Sequence, residues 1–270
     1  MAFDKVIDST KLNACLTAEA NAIRAKTGGS SQLAYDYANS KGFADAIAAI
    51  PTGGGGGRSI PSYVGDGKTY LYIYIPEGTP SSRREFQVYV ACTMSNGVTI
   101  NWGDGTVETS TSTESSYSHI YMDPGNYTIT LTVNSGTIQF GGGSGKPIYG
   151  NITQSSKYYI RDYLIAVEFG NKVTSIGGYT LTSIYNLVWV WISDSVLSFD
   201  SPYPIAWLDS IYEIHLLATT PPTLNVTGFP NMGAGYTIYV PYSADHSILQ
   251  SYRSATNWSN FGITIQEEPQ

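Results

Sequence analysis

VTINWGDGTVETSTSTESSYSHIYMDPGNYTITLTV, residues 98–133, is the stretch from which the rest of the chain is best understood. Val98, Ile100 and Trp102 alternate with polar residues at the period of a half-buried strand. Gly103-Asp104-Gly105 breaks that run with a turn whose glycines accept positive φ. A polar loop follows, and Asp123-Pro124-Gly125 forms a second turn. Tyr127, Ile129, Leu131 and Val133 then alternate with Asn126, Thr128, Thr130 and Thr132. The pattern of strand, turn, loop, turn and strand predicts the back half of a small antiparallel sandwich.

The same residues resemble the PKD domain, an immunoglobulin-like sandwich of surface and secreted proteins. The resemblance rests on Trp102-Gly103-Asp104-Gly105, on His119-Ile120-Tyr121, and on Pro124-Gly125-Asn126-Tyr127 continuing to Val133. It implies a framework role for His119. Asp104 has two readings: a side chain that caps its own turn, or, with Asp66, part of a calcium site. The second reading needs six to eight oxygens, and the stretch offers scattered single carboxylates. No catalytic signature surrounds either residue.

Upstream, Tyr70, Tyr72 and Tyr74 alternate with Leu71, Ile73 and Ile75, and Pro76-Glu77-Gly78 ends that strand. Phe86, Val88 and Val90 alternate again before Ser95-Asn96-Gly97, a two-residue hairpin signal. The expected sandwich therefore spans 58–136, with at least four strands and six or seven once short ones are counted. Gly53–Gly57 is a flexible linker. A phosphate-binding loop is excluded there, because Pro51 precedes it and no Lys-Ser/Thr pair follows.

Residues 1–52 have a different character. Ser9 or Thr10 can cap a helix with Leu12, Leu16 and Ile23 on its apolar face, stopped by Gly28-Gly29. A second helix carries Phe43, Ile47 and Ile50, and Pro51 ends it. Two short amphipathic helices cannot bury their apolar faces alone, so these six residues are the candidates for assembly contacts. AEANAIRAKTGG and GFADAIAAIPTGGGGG resemble the N-terminal segment of tail-associated and other structural proteins from phages of Gram-positive gut bacteria. That resemblance implies an attachment arm contacting other virion proteins and further copies of this chain; an arm of no fixed role is the alternative.

The last third repeats itself. Val167 to Val190, Val173 to Val196 and Ile176 to Phe199 each span a step of 23 residues. Ile211–Leu216, running on to Leu224, and Tyr236–Val240 give a third and a fourth, imperfect copy. A period of this length with one short strand per turn is the leucine-rich-repeat pattern, whose units must stack to close a core. FGNKVTSIGGYTLTSIYNLVWVWISDSVLSF, LLATTPPTL and IYVPYSADHSILQSYRSATNWSNF resemble BspA-like leucine-rich repeats of bacterial surface and phage proteins. The resemblance implies that 137–270 is such a domain, with a helix over 243–252 closing it against Trp258 and Phe261. Gly177-Gly178-Tyr179 and Pro202-Tyr203-Pro204 depart from the family pattern. The fold class is thus mainly β and multidomain: helical arm, PKD-type sandwich, short solenoid and terminal helix.

Aromatics concentrate here: Tyr185, Trp189, Trp191, Tyr203, Trp207 and Tyr212. On a strand, Trp189 and Trp191 point opposite to Val188, Val190 and Ile192. Both faces of one strand cannot line one core, so these rings either form a recognition surface or pack on a neighbouring part.

Composition narrows the functional classes. Among 270 residues only 13% are charged, 22 are tyrosine, and the net charge is −7. Without a basic stripe the chain does not suit nucleic acid. Neither Cys15 and Cys92 nor His215 and His246 stand at metal-ligand spacing, so no cofactor or metal is expected. No apolar run approaches the ~18 residues of a membrane span, and no secretory leader is visible in MAFDKVIDSTKLN. An extracellular composition without a leader fits a virion component made in the cytoplasm. Three functions are weighed: a non-enzymatic phage tail, baseplate or head appendage adhering to host glycan or protein; a bacterial surface adhesin; and a glycan hydrolase using two of Asp194, Asp200, Asp209 and Glu213. The first is the expectation, and the chain is not expected to be an enzyme.

Overall fold

Leu71, Ile73 and Ile75 are fully buried on β1 (Thr69–Ile75), which is buried along almost its whole length, as a central strand packed on both faces is. The structure, a computed structural model, describes residues 61–93, 97–133, 135–141, 147–149, 159–200, 202–225, 229–232, 235–258 and 264–269. Leu12, Leu16, Ile23, Phe43, Ile47 and Ile50, and with them the helical arm and the glycine linker, lie outside the described residues.

From β1 the chain continues through β2 (Glu85–Cys92), β3 (Val98–Asn101), β4 (Val107–Ser110), β5 (Glu114–Ile120), β6 (Gly125–Thr132) and β7 (Ile138–Phe140). A five-residue helix, α1 (Tyr159–Tyr163), then leads into β8 (Leu164–Phe169). Next come β9 (Val173–Ile176), β10 (Leu181–Thr182), β11 (Trp189–Ile192), β12 (Ser198–Phe199), β13 (Ile205–Ala206), β14 (Glu213–Leu216), β15 (Thr223–Leu224) and β16 (Thr237–Val240). Helix α2 (Ser247–Ser254) and β17 (Thr264–Glu267) complete the chain.

These strands form two large sheets and one small one. The first has the order β17-β16-β14-β11-β8-β1-β6-β3-β4, the second β15-β12-β9-β7-β2-β5, and β10 pairs with β13 alone. Pairing is antiparallel among β1–β6 and parallel from β8 to β17. The region from β8 onward is solenoid-like, with about four turns. Its register follows the sequence repeat: Val190 pairs with Val167, Ile214 with Val190 and Ile238 with Ile214. Where one strand per turn was expected, the first two turns each give a strand to all three sheets. The interior of these two turns is lined on three sides, by Val190, Phe199 and Ile205 in the second turn, for example, all buried.

Both large sheets run through position 136/137, where the sequence had placed a boundary. β1 pairs with β6 on one side and β8 on the other, and β7 bridges β2 and β9. A single core cluster reaches from Leu71 and Trp102 to Trp258 and Ile265. Its spine is the row Leu71, Val167, Val190, Ile214, Ile238 and Ile265 along the first sheet.

The hairpin expected around residues 95–97 is corrected: β2 and β3 belong to different sheets and do not pair. The polar stretch after Gly105 holds two further strands, β4 closing a hairpin on β3 and β5 pairing with β2. Near the C-terminus α2 spans Ser247–Ser254, starting four residues later and ending two residues beyond the expected 243–252, and Tyr252 is fully buried on it. The Tyr252 ring meets Trp258 edge to face at 5.2 Å, and its hydroxyl donates to the Ala218 carbonyl at 2.9 Å. Trp258 donates its indole N–H to the Pro222 carbonyl. Phe261 lies outside the described residues.

Candidate functional site

The W-G-D-G turn and the H-x-Y segment meet in one aromatic cluster. His119 stacks on Trp102 at 5.1 Å between ring centres and stands edge-on to Tyr121 at 4.7 Å; Tyr121 in turn stacks on Tyr127 at 4.0 Å. The buried Tyr121 hydroxyl donates to the Trp102 carbonyl at 2.9 Å. Asp104 is occupied at both oxygens: Oδ1 accepts the Thr106 N–H at 2.9 Å, and Oδ2 lies 2.7 Å from His119 Nε2. Burial pushes the Asp104 carboxyl up, but the hydrogen bonds from Thr106 and His119 outweigh it and hold the group below its ordinary value. This is a turn cap tied to a framework histidine. Gly103 is needed for the same arrangement: its φ is +85°, and a Cβ there would lie 2.6 Å from the Thr128 carbonyl oxygen.

The first large sheet carries side chains on both faces, as the alternation at Trp189 and Trp191 requires. Val190 and Ile192 enter the main core, while Trp191 belongs to a second cluster with Tyr70, Tyr72, Ile165 and Ala166, flanked by Tyr74 and Trp189. Trp191 is only 8% exposed. Tyr63 stacks on it at 6.0 Å and His215 at 5.8 Å, and His215 stacks in turn on Tyr239 at 5.1 Å. The four rings form a column across the parallel strands, so Trp191 and His215 each have rings on two sides. Trp189 is half-buried and tilted against Trp191. Of the two readings of this tryptophan pair, packing on a neighbouring part describes Trp191.

The charged groups beside the column are bonded within the chain. Glu168, 2% exposed, accepts the N–H groups of Val64 and Gly65 at 3.0 and 2.9 Å. Burial nevertheless raises its pKa, against those bonds. His215 lies 2.6 Å from Glu268 and 3.3 Å from Glu213. Burial lowers the His215 pKa, but the two carboxylates outweigh that and raise it overall. His246 reaches Glu267 at 2.6 Å. All three histidines of the chain therefore face carboxylates. Segment 65–69 also clamps the first solenoid turn, with the Asn171 N–H bonded to the Gly67 carbonyl. Gly170 is obligatory at this crossing, since a Cβ would lie 2.3 Å from the Gly67 oxygen.

Beside this clamp lies an open cavity of about 370 Å³, lined by Tyr63, Asp66, Glu168, Asn171 and Asp194 among others. Asp66 is held down to about 2 by hydrogen bonds from Lys68, and it also accepts the Tyr70 hydroxyl. Asp194 accepts from Ser193, Asp200 and Asp209 are exposed, and Glu213 is held by His215.

The remaining aromatic candidates differ in exposure. Tyr185 and Tyr212 are 41% and 61% exposed, with the Arg161 guanidinium 4.6 Å from the Tyr185 ring. Tyr203 and Trp207 flank β13 on the third face, half-buried, with ring centres 5.1 Å apart. Tyr179, which is not among the aromatic candidates drawn from the sequence, meets Tyr203 at 5.7 Å. Its signal was the 24-residue register linking β10 to β13, in which Leu181 pairs with Ile205.

Residues 92–139 match a family model described as the PKD domain. That span covers β3–β6, reaches into β7, and includes the motif cluster just described. No curated protein and no solved structure matches the chain.

Proposed function

We propose that this chain is a non-enzymatic structural protein of a phage virion, a tail, baseplate or head appendage, anchored by residues 1–52 and presenting its β region for adhesion to the host cell surface. One observation carries the reading. Exposed and half-exposed aromatics stand along 179–212 on a body whose histidines and buried carboxylate are already bound within the framework. Rigid aromatic side chains on such a scaffold supply contact area at low entropic cost. The wording of residues 1–52 supports the virion assignment and a homo-oligomer built through Leu12, Leu16, Ile23, Phe43, Ile47 and Ile50. With it go the finer fold assignments: an immunoglobulin-like sandwich for β1–β7, and BspA-like repeats closed by α2. The partners are other virion proteins and a host glycan or protein, the location is extracellular, and no cofactor takes part.

The test is binding of fluorescently labelled full-length protein to a panel of Gram-positive gut bacteria, beside size measurement of the full chain and of a variant lacking residues 1–52. The reading expects saturable binding to at least one strain, an oligomeric full chain and a monomeric truncation. Absence of cell binding removes the adhesion role. An unchanged oligomeric state removes the assembly role of the arm.

A further inference from the structure

The third face of the solenoid asks for an unusual backbone and fills it with unusual residues. β10 and β13 are each bracketed by residues in the left-handed region: Tyr179 (φ 64°) and Ser183 (φ 56°) around β10, Tyr203 (φ 54°) and Trp207 (φ 53°) around β13. Glycine meets that requirement without steric cost, and asparagine with little. Elsewhere among the described residues glycine takes ten of the positive-φ positions and asparagine two, Asn231 and Asn257, with His246 the exception. The tyrosines and the tryptophan held at positive φ all stand on this one face. Retaining bulky rings where the backbone disfavours them points to a use for the rings themselves.

Their geometry shows what use they can serve. Tyr179, Tyr203 and Trp207 form a continuous edge-to-face set, each half-buried. The segments that carry them, GGYTLTS (177–183) and PYPIAWL (202–208), contain no charged residue. An aromatic side chain offers ~150–250 Å² in all. Three half-buried rings therefore present a few hundred Å² at most, well under the ~800 Å² per partner of a stable protein interface. Asp200 and Asp209, both exposed, stand just outside the second segment and would repel an acidic sugar. Neither segment offers a cation to hold one, so a neutral, amphipathic ligand of sugar size matches the area and the local charge.

We infer that Tyr179, Tyr203 and Trp207 form a binding stripe for an uncharged glycan, the ring faces meeting the apolar C–H faces of the sugar. This deepens the adhesion reading and rests on it. It also moves recognition away from Trp191, whose ring is enclosed between Tyr63 and His215.

The experiment uses the full chain on immobilised neutral oligosaccharides (glucans, galactans, mannans and N-acetylglucosamine oligomers), with sialylated and uronic-acid oligosaccharides as acidic controls. Tyr203→Gly and Trp207→Gly remove a ring where glycine relieves the backbone. Melting temperatures are expected within ~3 °C of wild type, since relieved strain offsets lost packing. Neutral-glycan binding is expected to weaken about tenfold or more. Should either variant melt early, Tyr203→Asn and Trp207→Asn make the same test with a residue that tolerates the conformation. Glycan binding unchanged in these variants overturns the stripe and leaves adhesion standing. Binding to bacteria without binding to any neutral glycan overturns the ligand class. Unfolding in both the glycine and asparagine series shows rings that serve the fold and overturns the inference. Absence of binding to both glycans and cells removes the adhesion reading and this inference with it.

Discussion

Replacing Gly103 by alanine tests whether the W-G-D-G turn is a structural device. Two separate costs follow from the geometry. An alanine at φ +85° sits in the left-handed region, which disfavours a Cβ by about 1–2 kcal/mol. The new Cβ would also stand 2.6 Å from the oxygen and 2.8 Å from the nitrogen of Thr128. Thr128 has little freedom to retreat, because it pairs with Tyr72 in a strand held between β1 and β3. Crowding of this kind costs about 1–3 kcal/mol. The sum is about 2–5 kcal/mol, and at ~2–4 °C per kcal/mol for a unit of this size the melting temperature should fall by ~4–20 °C. Gly105 supplies the control: its φ is +97°, yet nothing lies within 4 Å of its would-be Cβ. Gly105→Ala should therefore show the conformational cost alone, a fall of ~2–8 °C. Thermal unfolding followed by tryptophan fluorescence measures both, since Trp102 is buried beside the turn. Equal shifts in the two variants would refute the close approach as the reason for Gly103.

Two further perturbations read other contacts. His215 is stacked between Trp191 and Tyr239 and faces Glu213 and Glu268, which raise its pKa above the ~6.5 of an unfolded chain despite its burial. Its contribution is therefore whole below about pH 6.5 and lost as pH rises through the higher folded value. The melting-temperature advantage of wild type over His215→Gln should shrink between pH 6 and pH 9, and a gap that widens with pH would contradict this. Tyr121→Phe removes the buried hydrogen bond to the Trp102 carbonyl. A loss of ~1–2 kcal/mol is expected in urea unfolding, and an unchanged midpoint would show that the bond contributes nothing.

What could be read from the sequence follows from what burial demands of residue types. β1, β6 and the solenoid strands announced themselves because alternate residues enter a core, as Leu71, Ile129 and Val190 do. β4 and β5 did not, because VETS and ESSYSHI are edge strands whose only large buried side chain is Tyr117. The hairpin expected at Gly97 failed for a related reason. A turn signal shows that the chain reverses but not whether it returns to the same sheet, and here it crosses to the other. The site was less legible. Opposite facing of Trp191 and Val190 could be deduced from strand geometry, whereas the rings above and beside Trp191 come from residues 63 and 215. The Tyr179, Tyr203 and Trp207 stripe follows the 24-residue register in its positions, but its left-handed backbone torsions at the ends of two-residue strands are not announced by the residue types there.

The PKD-type strands and the solenoid share one core, with β1 as the seam between β6 and β8, and should therefore unfold as one cooperative unit. Native-state hydrogen exchange across a urea series tests it most directly. The amides of β6, β1, β8 and β11 should converge on one opening reaction, with the same free energy and the same urea dependence. Separate openings for β6 and β11, with β1 following only one of them, would contradict it.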